Sequence, residues 1–166
     1  MLIAIFSDLH DNLNNLKIFL NYLQQKNIKT ILFCGDATRA ETLVFFSLHF
    51  PGQIKLIKGN AEVYEDKDLK KCHNLKNYGY DAYIELAKIK ILMTHKKKDV
   101  ASLNKKYSQS PDFIFYGHSH KPWIEENKQT IIANPGNLAD IRYPATFAIL
   151  DTDSKILELK ILSHYK

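Results

Sequence analysis

The chain has 166 residues, 45% of them hydrophobic, and a formal charge of +5 at neutral pH. That length suits one domain, residues 1–166, and the apolar fraction is enough for a sizeable core. There is no uninterrupted run of about eighteen apolar residues to cross a membrane, and residues 2–6 lack the basic flank and the length of a signal peptide, so a cytoplasmic protein is expected.

The 2 cysteines agree with that compartment. Cys34 falls in an apolar strand and Cys72 in a polar stretch, which gives no ground for a structural disulfide. The positive charge comes from lysines dispersed along the chain. Its densest run, Lys96-Lys97-Lys98, has no interleaved aromatics, so a solvated face is expected rather than a nucleic-acid groove. The arginines are few, and arginine suits bidentate phosphate contacts. Arg39 follows Asp36 by three residues, and Arg142 lies just beyond Asn134-Pro135-Gly136-Asn137.

In chain order, residues 2–6 form an apolar strand that runs into Ser7-Asp8-Leu9-His10. Asp11 or Asn12 can then cap a helix whose apolar stripe is Leu13, Leu16, Phe19, Leu20 and Leu23, closed near Asn27. Residues 30–34 are a second strand, ending at Gly35-Asp36. A second helix covers residues 40–48 and stops before Pro51-Gly52, with His49 as a surface or capping residue. A third strand, residues 54–58, ends at Gly59-Asn60, which completes a parallel β-α-β-α-β unit. Residues 61–80 are polar and read as an irregular loop with room for a short helix, long enough to suggest function.

Residues 82–86 and 88–93 read as an antiparallel hairpin that ends in Thr94-His95. Asp99 can cap a short helix through Lys106. The next strand, residues 113–116, runs straight into Gly117-His118-Ser119-His120. Short strands follow at residues 123–126, 130–133, 146–150 and 156–162, the last a candidate edge for pairing with a second copy. The expected architecture is two sheets, one from the N-terminal parallel unit and the other from the later hairpins, with helices outside.

Five of these strands end in residues with metal-competent oxygen or nitrogen atoms. Asp8, His10, Asp36, Asn60, His95, His118 and His120 make the set, and Asp36, Asn60 and His118 each follow a glycine. In open α/β sheets the C-terminal strand ends are where ligands bind. Singly, each residue has an ordinary explanation as a cap, a turn residue or a core histidine; five endings in one chain argue for one site. Seven oxygen and imidazole ligands exceed a tetrahedral zinc and suit two divalent ions with a bridging carboxylate, Mn²⁺, Ni²⁺, Fe or Zn²⁺. Two ions roughly 3.5–4 Å apart can activate a hydroxide and clamp a phosphoryl oxygen.

The order Asp8-x-His10, Gly35-Asp36, Gly59-Asn60, His95, Gly117-His118-Ser119-His120 resembles the calcineurin-like metallophosphoesterases across almost the whole chain. Asn134-Pro135-Gly136-Asn137 resembles the Asn-Pro-Gly-Ser segment of their small bacterial and archaeal phosphodiesterases. The resemblance implies a four-layer α/β/β/α sandwich of two mixed sheets and hydrolysis of small phosphate esters by a hydroxide bridging two metal ions. It places one ion on Asp8, His10, Asp36 and His120, and the other on Asp36, Asn60, His95 and His118, with Asp36 bridging. Asp36, Asn60 and His95 are the expected catalytic residues, and Asn60, Arg39 and Lys96 the expected phosphate contacts.

The chain departs from the pattern in three places. Many relatives carry a histidine after the asparagine as general acid; here it is Ala61, followed by Glu62. Asp11 replaces a frequent glycine, and Lys96-Lys97 replace a glycine and a further histidine after His95. Ala61 points to substrates with good leaving groups. The rival reading is a protein-binding scaffold resembling the retromer's small subunit, which shares the fold but departs from the enzymes at metal positions. The complete ligand set here favours the enzyme, and the chain has no room for the insertions of nucleases.

Overall fold

The structure is a computed structural model that describes residues 1–108 and 110–165. Its strands are β1 (Leu2–Phe6), β2 (Thr30–Phe33), β3 (Gln53–Leu56), β4 (Leu75–Asn77), β5 (Asp81–Leu86), β6 (Ile89–Thr94), β7 (Phe113–Phe115), β8 (Trp123–Asn127), β9 (Thr130–Asn134), β10 (Thr146–Asp151) and β11 (Ile156–Ile161). The α-helices are α1 (Leu13–Gln25), α2 (Ala40–His49) and α3 (Val100–Tyr107). Among the described residues no helix is long and apolar enough to cross a membrane.

The strands form two mixed sheets, ordered β11-β10-β1-β2-β3-β4 and β5-β6-β7-β9-β8. Alternation along each strand decides what lies between the layers. On β1, Ala4 and Phe6 face α1 and α2, and Phe6 stacks on Phe33 with ring centroids 4.2 Å apart. Ile3 and Ile5 face the other way, into a core between the sheets that includes Leu32, Met93, Phe113, Phe115 and Leu150. A third cluster, Leu92, Ile114, Tyr116 and Ile132, packs with Leu103 of α3. Three apolar interfaces thus join four layers, α/β/β/α, as the resemblance implies. Each fully buried large apolar side chain contributes about 1.5–3 kcal/mol.

Local signals set the helix limits. Asn12 caps α1, its side-chain oxygen accepting the Asn15 N–H at 3.1 Å, and Asn27 turns the chain at φ 53° just beyond. Asp11, also left-handed at φ 58°, accepts the N–H of Arg39 at the start of α2. The frequent glycine at its position suits that backbone. His49 ends α2, exposed, its Nδ1 2.8 Å from the Phe45 carbonyl.

Several expectations change. β10 and β11 do not join the later hairpins: β10 pairs antiparallel with β1, Leu2 opposite Asp151, so the last strands complete the first sheet. The second sheet is mixed, as the resemblance implies: β7 runs parallel to both β6 and β9, while β5 and β8 are antiparallel to their neighbours. The segment read as a loop with room for a short helix does carry a 3₁₀ turn (Asp66–Lys71), but also the unexpected edge strand β4. Cys72 is buried against the helix side of the first sheet, and Cys34 lies between the sheets; both thiols are free. Asp99 precedes α3 without a side-chain cap, and the helix runs to Tyr107. β11 is an edge strand, as read.

Candidate metal centre

β1, β2 and β3 run parallel, as do β6 and β7, so the residues that follow them gather at one rim. Backbone hydrogen bonds lace these turns together. Asp8 donates to the Gly35 carbonyl at 2.9 Å, His10 to the Asp36 carbonyl at 3.0 Å and Gly117 to the His95 carbonyl at 3.1 Å. The glycines are needed for contact between turns. A Cβ on Gly59 would lie 2.1 Å from Asp36 Oδ1, and one on Gly117 would lie 1.9 Å from Ser7 Oγ. Asp8, His10, Asp36, His118 and His120 all have positive φ, between 43° and 68°. Strain of this kind gathers at functional sites and persists where the surrounding structure enforces it.

The carboxylates are buried and directed. Asp36 is 2% exposed. Its Oδ1 accepts the Asn60 and Ala61 N–H groups at 2.7 and 2.8 Å. Its Oδ2 faces His95 Nε2 at 3.2 Å and His10 Nε2 at 3.8 Å. Asp8 is fully buried, accepts the His118 N–H at 3.0 Å and lies 3.3 Å from His120 Nε2. Ligand atoms of Asp8, His10 and His120 all lie within 4.8 Å of one another, as do those of Asp8, Asp36 and His95.

His95 carries the plainest sign of a missing partner. Its Nδ1 hydrogen-bonds the Cys34 carbonyl at 2.8 Å, which aims Nε2 into the site. That nitrogen is buried and, although close to Asp36, has no aligned hydrogen-bond partner. His10 and His120 turn their Nε2 atoms to within 3.3 Å of each other. Two imidazole nitrogens converging beside two carboxylates form a donor set that fits divalent cations with mixed nitrogen and oxygen preference.

The charges reinforce one another. Burial alone would raise the Asp36 pKa, but the facing His95 and the Ala61 N–H hold it well below the usual carboxylate range. Burial pushes His95 down, and the Asp36 carboxylate more than reverses this, leaving it above the ordinary histidine value. His120 is raised chiefly by Asp8. His118 is lowered by burial, then by the positive neighbours His95 and Lys96.

Of the seven expected ligands, five converge in the two clusters: Asp8, His10, Asp36, His95 and His120. Asp8 is the residue common to both clusters, while Asp36 Oδ2 lies between His10 and His95. His118 stands beside them, its ring centroid 5.3 Å from that of His95. Asn60 is exposed at the rim and touches Asp36 through its backbone. Lys96 lines a cleft of about 450 Å³ with Asn60, His95, Tyr64 and Tyr80. Arg39 is not brought to the cluster: its side chain is 71% exposed, its Nε is 3.6 Å from Asp11 Oδ2, and it lines a separate groove with Val63 and Asp68. Lys97 turns away to Glu125 at 2.9 Å.

Some supporting residues escape a reading for ligands. Asn134 donates to the Gly117 carbonyl at 2.9 Å and Ser119 Oγ at 3.0 Å, and Asn137 donates to the His120 carbonyl at 3.2 Å. Only the resemblance of the Asn-Pro-Gly-Asn segment hinted at them. Glu62 accepts backbone N–H groups from two ligand turns.

A phosphodiesterase of Methanocaldococcus jannaschii is 27% identical over 167 residues, covering 93% of this chain and 95% of that protein. A solved archaeal phosphodiesterase superposes with a TM-score of 0.85 at 25% identity, covering 97% of this chain and 99% of the other. A vacuolar protein sorting 29 protein of Entamoeba histolytica, complexed with zinc, shares the fold with a TM-score of 0.70 at 16% identity, over 98% and 99% of the two chains. The domain description that matches residues 1–155 is the calcineurin-like phosphoesterase superfamily domain, and the chain belongs to that superfamily.

Proposed function

We propose that this protein is a metal-dependent phosphodiesterase that hydrolyses small phosphate diesters. Asp8, His10, Asp36 and His120 would hold one divalent ion. Asp36, Asn60, His95 and His118 would hold a second, with Mn²⁺ the first choice and Ni²⁺, Fe or Zn²⁺ as alternatives. Such ions supply Lewis acidity toward water and toward a phosphoryl oxygen. The observation that carries the reading is the buried His95 Nε2, aimed beside Asp36 Oδ2 and lacking an aligned partner. The archaeal relatives named phosphodiesterases support the choice of diester.

The chain's own groups divide the remaining work. The Asn60 and Ala61 amides occupy Asp36 Oδ1 and so leave Oδ2 directed inward. The Cys34 carbonyl fixes the His95 tautomer. We assign the outer phosphate contact to Asn60 and Lys96 rather than Arg39, whose guanidinium faces Asp11. Lys96 lines the cleft beside His95, and its charge already acts on His118. In the reaction a water oxygen bonds to phosphorus as it gives a proton to solvent, one ester bond breaks, and the departing oxygen leaves as an anion or takes a proton back from solvent, since Ala61 offers none. Aryl esters should therefore react faster than alkyl esters.

The test is hydrolysis of bis(p-nitrophenyl) phosphate by protein loaded with Mn²⁺, beside a chelated control. Metal-dependent release of nitrophenolate is expected. A protein that binds metal and yet turns over neither diesters nor monoesters would instead support the scaffold reading, for which the zinc-complexed vacuolar sorting protein offers a likeness in fold.

A further inference from the structure

Glu62 lies in a polar stretch where an acidic side chain would ordinarily be solvated. Here it is half-buried, and both its oxygens are engaged. Oε1 accepts the Asp36 N–H at 2.7 Å and the Ala37 N–H at 3.4 Å. Oε2 accepts the Gly59 N–H at 2.9 Å. The carboxylate therefore spans the turns that leave β2 and β3. The reverse contact is present too, because Asp36 Oδ1 accepts the N–H groups of Asn60 and Ala61. Each turn thus sends a carboxylate to the amides of the other. This is the reciprocal logic of a helix capping box, applied between two loops.

Placing one acid beside another is costly unless their oxygens are well supplied with donors. The amides meet that need, and a carboxylate suits it because it only accepts hydrogen bonds. Glutamine would turn an NH₂ group toward one of the N–H donors. Gly59 leaves no slack, since any side chain there would collide with Asp36. With Oδ1 of Asp36 held by one turn and its backbone held by Glu62, Oδ2 has one direction left, between His10 and His95.

We propose that Glu62 is a positioning residue that sets the Asp36 carboxylate and the Gly59-Asn60 turn for the divalent ions, an inference that rests on the metal reading above. Supports of this type typically change metal affinity or activity by ~10–100-fold when removed. The test compares wild type with Glu62→Gln by titration calorimetry with Mn²⁺, by steady-state kinetics on bis(p-nitrophenyl) phosphate, and by melting of the metal-free proteins. We expect Mn²⁺ affinity and kcat each to fall ~10–100-fold with KM little changed. A variant that melts lower when metal-free but keeps wild-type Mn²⁺ affinity and kcat would reduce Glu62 to a loop staple and overturn the proposal. If wild type itself bound no metal, the failure would belong to the metal reading instead. Should the variant not fold, hydrogen exchange on wild type decides. Mn²⁺ is expected to slow exchange at the Asp36 and Gly59 amides, and rates there that Mn²⁺ leaves unchanged would overturn the proposal.

Discussion

The two sheets meet at the rim with different chemistry. The first contributes Asp8, His10, Asp36 and Asn60, and its buried carboxylates are held by backbone N–H donors. The second contributes His95, His118 and His120. Their half is held by acceptors and side-chain amides: the Cys34 carbonyl behind His95, the Ile141 carbonyl 3.4 Å from His120 Nδ1, and Asn134 and Asn137 beneath the 117–120 turn. The contrast follows from the groups themselves. A carboxylate needs N–H donors, whereas an imidazole needs an acceptor that keeps its proton on Nδ1 and leaves Nε2 free, and two of these supports cross between the sheets: the His118 N–H serves Asp8 and the Cys34 carbonyl serves His95. The apolar interface between the sheets then sets how far apart the halves stand.

The most severe way to break this contrast is to remove charge from the first half. Asp36→Asn keeps the shape but replaces the oxygen between His10 and His95 by a weaker ligand or an NH₂ group. It is expected to lose most bound metal and nearly all turnover, read by metal analysis and phosphodiester assay on one sample. Retained metal and activity would remove Asp36 from its place between the halves.

A milder break falls on the second half. Asn134 is fully buried, and Asn134→Ala leaves the Gly117 carbonyl and Ser119 hydroxyl without their donor. The expected cost is about 1–3 kcal/mol of stability. Turnover should fall less than in Asp36→Asn, because the histidines remain. A thermal melt and a kcat measurement check both parts, and an unchanged melt would show that the turn stands without this support.

The gentlest perturbation is pH, and it sharpens the comparison. His95 and His120 have pKa values raised by the carboxylates of the first sheet. Their protonated pairing stabilises the metal-free fold fully below the unfolded histidine value near ~6.5 and is lost as pH rises through the higher folded values. Metal competes for the same nitrogens, so its affinity should move oppositely, rising as those protons leave. Melts with chelator and with Mn²⁺ across this range should therefore diverge as pH rises.

Much of this was legible beforehand because strands buried on both faces read as unbroken apolar runs, and their polar ends stand out. Residues 113–115 running into Gly117-His118 are the clearest case. What stayed hidden depends on partners distant in sequence. The apolar run in residues 147–150 announces a strand without saying that it pairs with β1. β4 is three residues long with Leu75 as its one large apolar residue, too little for any periodicity to register. Nothing in the sequence marks Glu62 as a support, because the Asp36 and Ala37 amides it serves lie some twenty-five residues earlier. The left-handed backbone at Asp8, His10 and His120 leaves no mark in composition, since the close approach of neighbouring turns imposes it.

The antiparallel partnership of β1 with β10 has a consequence for how the protein comes into being. Leu2 waits for Asp151, so the strand that delivers Asp8 has one edge unpaired until β10 has been synthesised. Closing so long a loop is slow, and the open edge invites pairing with other chains meanwhile. The sheet around Asp8 is therefore complete only once β10 has docked on β1. Weakening β10, far from any histidine in sequence, would delay the birth of the site and lengthen the nascent chain's exposure to aggregation.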